Sequence, residues 1–584
     1  MTAEATRKTA CDVTLRIGGE AGQGVNVVSG LLGKALLRQG LHVFTHHDVM
    51  SRIRGGHNFS QIRASDVPVM APAERVDILV CLDENTLRLY EEELDGVIIH
   101  DPDWGGPRKG GKSKRLPLSL EKIAKEKGGD ARMANTVAAA ASLAVLGLSL
   151  DPLLDLLGET FGSKGDKVLE GNRACARAGF AAAKDAFEGP RLCAGFEAPP
   201  GGKRILITGS EAMAIGALAS GLRFYTGYPM SPATAIMEFL ASKKDEYGLV
   251  IEQAEDEISA VNMAVGASFA GARTLVATSG GGLALMVEGI SLAGMTETPL
   301  VIIDCQRPAP ATGLPTRTEQ ADLLFVAHCG HGEFPRAVLA PSTAEEAFYL
   351  TNKAFYLADK YQTPVFVLGD QFLNDSSWTG EPFGLDRLLA DGSVRLSDAE
   401  LEALSPYAYK RYTLTESGIS PLILPGTSRQ VVCADSDEHT EEGHITESAE
   451  VRRAMVGKRL KKASGLAGEM APPAVYPEDA AAYTVSWGST FGAVREAVRL
   501  LRDKGLDIGY IHWSEVFPLR TEAVIQAVER GAELVAIENN ATGQFARLLR
   551  METGLAVDRR ILRFDGRPFT ARELTREIEK KRGS

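Results

Sequence analysis

Three stretches of the chain share one rhythm: a short run of β-branched and apolar residues, a polar or glycine-rich turn, then a longer segment with apolar positions three and four apart. The first stretch carries VTLRI, HVFT, DILVCL and GVIIH. The second carries RILIT, RFYTGYPMSP, GLVIEQ, RTLVATSGGG, PLVIIDCQRP and TPVFVLGD, and the third AYTVSWG, IGYIHWSEV and AELVAIEN. Such alternation predicts an α/β protein with three parallel-sheet domains. The rhythm fails twice. EGPRLCAGFEAPPGGKR has Pro and Gly without periodicity and reads as a linker, and a later region rich in Pro, Ser and charge contains ADSDEHTEEGHITESAE. The expected domains are therefore 1–190, a linker at 191–204, a second domain at 205–375, an extended connecting segment at 376–480 with one helix near 449–462, and a third domain at 481–584.

A chain of 584 residues is too long for one core, and 44% hydrophobic with 24% charged residues is ordinary globular composition. There is no run of about eighteen apolar residues to cross a bilayer. A net charge of −12 opposes a phosphate-tracking surface, so neither a membrane nor a nucleic acid is expected as partner, and RKGGKSKR reads as a solvated loop. The beginning, MTAEATRKTACDVTLRIGG, lacks an apolar export signal, and the seven cysteines form no C-x-x-C pair. A cytoplasmic chain with mostly reduced, structural cysteines is expected. It should carry neither an iron–sulfur cluster nor structural zinc, and no set of metal ligands is apparent.

The glycines of RIGGEAGQGVNVVSGLLGKAL lie between a strand and a helix, where Gly22, Gln23 and Gly24 could hold a phosphate on backbone amides. Close strand–helix packing explains glycines there equally well, and both readings stay open. His46, His47 and His57 lack companion ligands and are read as polar packing. Asp435, Asp437, His439 and His444 are read as part of a solvated strap rather than a cation site.

VIEQAEDEISAVNMAVGASFAGA says more. If a helix begins near Asp256, then Glu257, Val261, Val265 and Phe269 fall on one face, and Glu257 joins the apolar stripe. A carboxylate there must be paired, protonated or functional, because burying it charged and alone is costly. Glu252, Glu255 and Asp256 lie off that face. The small residues Ala264, Gly266, Ala267, Ala270, Gly271 and Ala272 would let a flat ligand or another backbone approach. TGYPMSPAT sets Ser231 between prolines at a strand end, ATSGGG places Ser279 and Gly280 at another, and IIDCQRP places Arg307 at a third. A hydroxyl, a carboxylate, backbone amides and a guanidinium at four successive strand ends make a candidate active-site edge.

These segments, with HGEFPRAVLAPSTAEEAFYL, SDEHTEEGHITESAEVRRAMVGKR and AIENNATGQFARLLRMETG, resemble the α subunit of the 2-oxoacid:ferredoxin oxidoreductases. GGEAGQGV and SRIRGGHN resemble that family's γ domain, here fused ahead of the α subunit. The resemblance spans nearly the whole chain, and six motifs in order make it specific. It implies that the second and third domains are of the thiamin-diphosphate pyrimidine-binding and transketolase C-terminal types. It assigns Glu257 to the ring nitrogen of thiamin diphosphate, Tyr228, Pro229, Ser279 and Gly280 to the cofactor's surroundings, and Ser231 and Arg307 to the substrate's carboxylate and carbonyl. Ser231 stands where the family usually has threonine.

The family's G-D-G diphosphate and Mg²⁺ motif is not found in the sequence. The resemblance therefore implies a β subunit that anchors a shared thiamin diphosphate and carries Mg²⁺ and a [4Fe–4S] cluster, in an αβ heterodimer or a dimer of heterodimers. Coenzyme A is the implied co-substrate, with Gly22, Gln23 and Gly24 as candidate phosphate contacts, and ferredoxin the implied electron acceptor. The connecting region is most similar to enzymes of 2-oxoglutarate, with pyruvate and other 2-oxoacids as alternatives and a non-catalytic scaffold subunit as a rival of another class. An indolepyruvate enzyme is disfavoured, because its large subunit ends in a cysteine-rich segment.

Overall fold

The computed structural model describes residues 11–51, 56–104, 112–197 and 202–583. Part of SRIRGGHN, the first half of RKGGKSKR and part of the expected linker lie outside those residues, and the last two residues of RKGGKSKR, expected in a solvated loop, instead open strand Lys114–Pro117. The chain forms two compact units, one of residues 1–207 with 376–382 and 570–572, the other of 208–375, 383–569 and 573–584. Among the described residues no helix is long and apolar enough to cross a membrane.

The first unit contains an eight-stranded sheet in the order Lys114–Pro117, Val97–His100, Ile78–Cys81, Asp12–Glu20, His57–Ser65, His42–Asp48, Ser377–Gly380, Ile205–Thr208. The first three pairings are parallel, as the sequence rhythm predicts. The next three are antiparallel, so this sheet is mixed. The sequence reading assigned no strand to His57–Ser65. Its polar Asn58, Ser60, Gln61 and Arg63 are all buried, which removes the polar-out alternation that marks a strand. Helix Ala134–Leu146 is buried from Thr136 onward, and its small side chains admit helix Asp166–Ala186 so closely that a Cβ on Gly179 would stand 2.7 Å from the Val137 carbonyl oxygen. Cys11, just before the first strand, is disulfide-bonded to Cys193, with Cα atoms 4.9 Å apart. The expectation of mostly reduced cysteines holds for Cys81, Cys175, Cys305, Cys329 and Cys433 and fails for this pair, whose separation of 182 residues hides it from any search for local spacing.

The second unit holds both remaining sheets. Seven strands run in the order Glu515–Phe517, Ala337–Leu339, Pro364–Asp370, Leu300–Gln306, Thr274–Thr278, Phe224–Gly227, Val250–Gln253, parallel throughout except at the first pairing. Five strands form the other sheet, parallel except for Ala474–Tyr476. One apolar core joins the two sheets, uniting Val338 and Phe366 with Trp487, Trp513 and Phe545. The third expected domain is thus not a separate compact body.

The connecting segment is held by a buried charge cluster. Its helix is longer than expected, Ala449–Glu469, because Leu466 and Lys462 continue its buried face. Lys458 Nζ donates to both carboxylate oxygens of Glu297 at 2.7 and 2.8 Å, and Lys462 pairs with the same carboxylate. Arg411 Nη2 donates to the Glu297 carbonyl at 2.7 Å and Tyr412 OH to the Thr296 carbonyl at 3.2 Å. Burial alone would raise the pKa of Glu297, but the charges of Lys462, Lys458 and Arg411 outweigh it and hold it down at about 2.

The strap acids and histidines are engaged locally. Asp435 accepts from the Asp437 amide, and the buried His439 donates from Nδ1 to the Asp437 carbonyl, 3.0 Å away, with its ring tilted against that of Tyr412. Among the described residues no group of three His, Cys, Asp or Glu side chains could hold a metal ion.

Candidate active site

Four neighbouring parallel strands of the seven-stranded sheet end at one edge. Phe224–Gly227 leads to Tyr228, Pro229 and Ser231, and Val250–Gln253 to Glu257. Thr274–Thr278 leads to Ser279 and Gly280, and Leu300–Gln306 to Arg307. Open α/β sheets present ligands at this edge, since loops there leave backbone amides and side chains free of the ladder.

Asp256 caps the helix Glu257–Phe269 by accepting from the Ser259 amide at 2.7 Å. That fixes Glu257 as the first helical residue, with its side chain turned inward beside Val261 and Val265 as the sequence predicts. Phe269 is half-buried, while Glu252 and Glu255 are exposed. Glu257 is 3% exposed, and its buried Oε1 has no hydrogen-bond partner among the described residues. A buried carboxylate oxygen without a donor is costly unless a ligand completes it.

Room for the Glu257 carboxyl comes from a different place than expected. Gly266 faces open space and Gly271 packs against Leu424. The glycine turn supplies the space instead: a Cβ on Gly282 would stand 2.1 Å from Thr278 Oγ1 and 2.7 Å from Glu257 Oε1. Only a hydrogen fits there. The helix opening at this turn, Gly280–Met295, leaves its first amides directed at the same region. Ser279 Oγ is fully buried beside it and has no hydrogen-bond partner among the described residues.

Arg307 Nη1 donates to the Ser231 carbonyl at 2.7 Å, so these two sequence-predicted residues meet directly. Ser231 itself is exposed and precedes a cis proline. Tyr228, 41% exposed, stands at the rim. Burial lowers the pKa of the Arg307 guanidinium, and the charge of Asp322 counters it.

Asp322 and Asp304 escaped the sequence reading. Asp304 is fully buried, and among the described residues neither of its carboxyl oxygens, nor Asp322 Oδ2, has a hydrogen-bond partner. A Cβ on Gly280 would stand 2.4 Å from that Oδ2, so the Asp322 carboxyl presses on the first residue of the glycine helix. The Asp322 amide donates to Gln306 Oε1 at 3.0 Å, tying the loop back to the strand end. The signal available in sequence was the one used for Glu257: Asp304 interrupts the apolar run LVII.

Gly22, Gln23 and Gly24 belong to the other unit. Gly18 and Gly19 there are packing glycines, since a Cβ on either would stand within 2.5 Å of Thr86 or 2.7 Å of Gln23 Oε1. Gly22 has open space and φ +96°, and Gly24, in the left-handed conformation, caps helix Val25–Arg38. His47 Nδ1 lies 2.7 Å from Ser60 Oγ and His57 Nε2 3.1 Å from Tyr90 OH, the polar packing read from sequence.

A parallel-sheet edge with an inward, incompletely bonded carboxylate at a helix start is a place suited to a ligand. Residues 215–458 match the family described as "Pyruvate flavodoxin/ferredoxin oxidoreductase, thiamine diP-bdg", and residues 14–182 match "Pyruvate ferredoxin/flavodoxin oxidoreductase". The chain is 30% identical to the 2-oxoacid:ferredoxin oxidoreductase subunit alpha of Sulfolobus sp, covering 97% of this chain and 96% of that one. It is 31% identical to a 2-oxoglutarate synthase subunit of Methanothermobacter thermautotrophicus over 60% of this chain and 91% of the relative. A solved 2-oxoglutarate:ferredoxin oxidoreductase from Magnetococcus marinus, with 2-oxoglutarate, coenzyme A and succinyl-CoA bound, superposes with a TM-score of 0.89 at 29% identity, over 98% of this chain and 99% of that one. The chain belongs to the 2-oxoacid:ferredoxin oxidoreductases and is an α subunit of such an enzyme.

Proposed function

We propose that this subunit, with a β subunit, oxidatively decarboxylates 2-oxoglutarate and joins the product to coenzyme A as succinyl-CoA, in a reaction that is reversible and passes electrons singly to ferredoxin. The observation that carries the reading is the unpartnered, buried Oε1 of Glu257 against the glycine turn. It fits a flat heterocycle whose ring nitrogen completes that oxygen's bonding. Thiamin diphosphate, when bound, supplies the nucleophilic carbon and the electron sink for loss of carbon dioxide.

The chain's own residues have separate tasks. Glu257 holds or shares the proton at the cofactor's ring nitrogen, and its burial keeps that proton from water. Tyr228, Pro229, Ser279 and Gly280 wall the cofactor. Arg307 meets the 2-oxoacid carboxylate, for which a planar guanidinium fork is suited, and the Ser231 hydroxyl meets the same end of the substrate. Gly22, Gln23 and Gly24 are assigned to a phosphate of coenzyme A, on the open space at Gly22 and the free helix start behind it. The β subunit holds the diphosphate anchor, Mg²⁺ and the [4Fe–4S] cluster, in an αβ heterodimer or a dimer of heterodimers working in the cytoplasm. The choice of 2-oxoglutarate is supported by the names of the Methanothermobacter and Magnetococcus relatives.

The test is anaerobic viologen reduction by the chain co-purified with its β partner, with coenzyme A and a panel of 2-oxoacids. Preference for 2-oxoglutarate supports the full reading. Preference for pyruvate or another 2-oxoacid retains the reaction and replaces the substrate. Absence of turnover with every 2-oxoacid, with cofactor and cluster in place, overturns it in favour of a scaffold.

A further inference from the structure

We propose that Asp322 sets the enzyme's affinity for its 2-oxoacid: with Asp304 it forms a buried carboxyl pair that takes up a proton as the substrate carboxylate docks on Arg307. The inference rests on the assignment of Arg307 to the substrate carboxylate. It concerns Asp322 as a positioning residue acting through Arg307.

The geometry comes first. Asp304 is fully buried and Asp322 is 8% exposed, and three of their four carboxyl oxygens have no hydrogen-bond partner among the described residues. Ionised carboxylates in such surroundings attract donors, and none is supplied. Two carboxyls within electrostatic reach of one another in a dry interior do not both ionise near neutrality. Burial and the charge of Asp322 raise the pKa of Asp304 well above the ordinary carboxylate range, so Asp304 keeps its proton. Burial likewise pushes Asp322 up to about 6, against the attraction of Arg307.

The groups facing the pair act in two directions. Arg307 and the positive end of helix Gly280–Met295, on whose first residue the Asp322 carboxyl rests, favour its ionised form. Glu319 on the same loop opposes it and is itself pushed up to about 7 by burial and by Asp322. The neighbouring thiols of Cys305 and Cys329 are pushed up by burial and stay neutral. Near neutrality the ionised Asp322 therefore compensates part of the Arg307 charge. A substrate carboxylate arriving at Arg307 takes over that role and adds a like charge beside Asp322, which answers by binding a proton from solvent. Substrate affinity and proton uptake are then linked, and affinity falls as pH rises above the pKa of free Asp322.

The experiment uses the reconstituted αβ enzyme. KM for the preferred 2-oxoacid is measured from pH 6 to pH 8 for wild type, Asp322→Asn and Glu319→Gln. The proposal expects the wild-type KM to rise about fivefold or more over that range, and by less than about twofold in Asp322→Asn. A wild-type slope retained in Asp322→Asn, or lost only in Glu319→Gln, overturns it. Calorimetric titration of wild-type enzyme with the 2-oxoacid, in two buffers of different ionisation enthalpy, needs no variant. Net proton uptake at pH 7 supports the proposal and none overturns it. Normal 2-oxoacid turnover with a flat pH profile defeats this inference alone, whereas failure to bind any 2-oxoacid defeats the functional reading and this inference with it.

Discussion

Two glutamates of the second unit, Glu257 and Glu297, are equally buried and opposite in every other respect. Glu297 lies at the turn before a central strand, with two lysines on its carboxylate and an arginine on its carbonyl. Glu257 has an oxygen with no donor at all among the described residues. The chain completes the first and leaves the second for something else to complete. A carboxylate whose bonds are met internally serves stability, and removing it strands the partners. A carboxylate kept incomplete serves a ligand, and removing it relieves the fold while disabling the chemistry.

The comparison breaks most visibly at Glu257. Glu257→Gln should lower turnover of the reconstituted enzyme by about 10²–10⁴-fold while the unfolding midpoint stays level or rises, measured by viologen reduction and thermal denaturation. Glu297→Gln should do the reverse, costing about 3–5 kcal/mol of stability by leaving buried ammonium groups uncompensated. Its pH profile sharpens the point. Because the folded-state pKa of Glu297 is depressed to about 2, its contribution is present above the ordinary glutamate range and lost as pH falls toward 2, and the Gln variant should lack that acid-side loss. Asp359 and Asp375, both pushed up to about 6 by burial, act in the opposite sense and contribute stability that is lost as pH rises from about 4 through 6.

Gly282→Ala tests the room around Glu257. The new methyl would meet Thr278 Oγ1 and Glu257 Oε1, so the carboxyl must shift, with a loss of about a hundredfold in turnover. Arg307→Lys removes the planar fork and should raise KM for the 2-oxoacid about tenfold with a smaller change in kcat. Ser231→Thr, which restores the residue usual in the family, should change KM by no more than about threefold.

How much of this the sequence disclosed depended on periodicity. The four strand ends and the inward turn of Glu257 were legible because apolar runs and a helical stripe have fixed spacings. Asp304 passed the same test, an acid within a fully buried run, and went unnoticed. Asp322 could not have been found that way, since it sits on a loop whose path is set by the Gln306 side chain and by the adjoining sheet through Gln320, whose amide donates to the Asn539 carbonyl at 2.7 Å. The strand His57–Ser65 was hidden by its buried polar residues, and the single core beneath two sheets by the fact that alternation reveals strands and not what they pack upon.

The Cys11–Cys193 pairing also bears on how such a chain can be assembled from genes. It ties the residue before the first strand to a turn that follows helix Asp166–Ala186, with the two Cα atoms 4.9 Å apart. The sheet of that body is nonetheless completed from further along the chain, by strand Ser377–Gly380 paired to His42–Asp48. Fusion keeps that late strand on the same polypeptide as the sheet it joins, whereas separate encoding of the N-terminal body would turn the pairing into a contact between two chains.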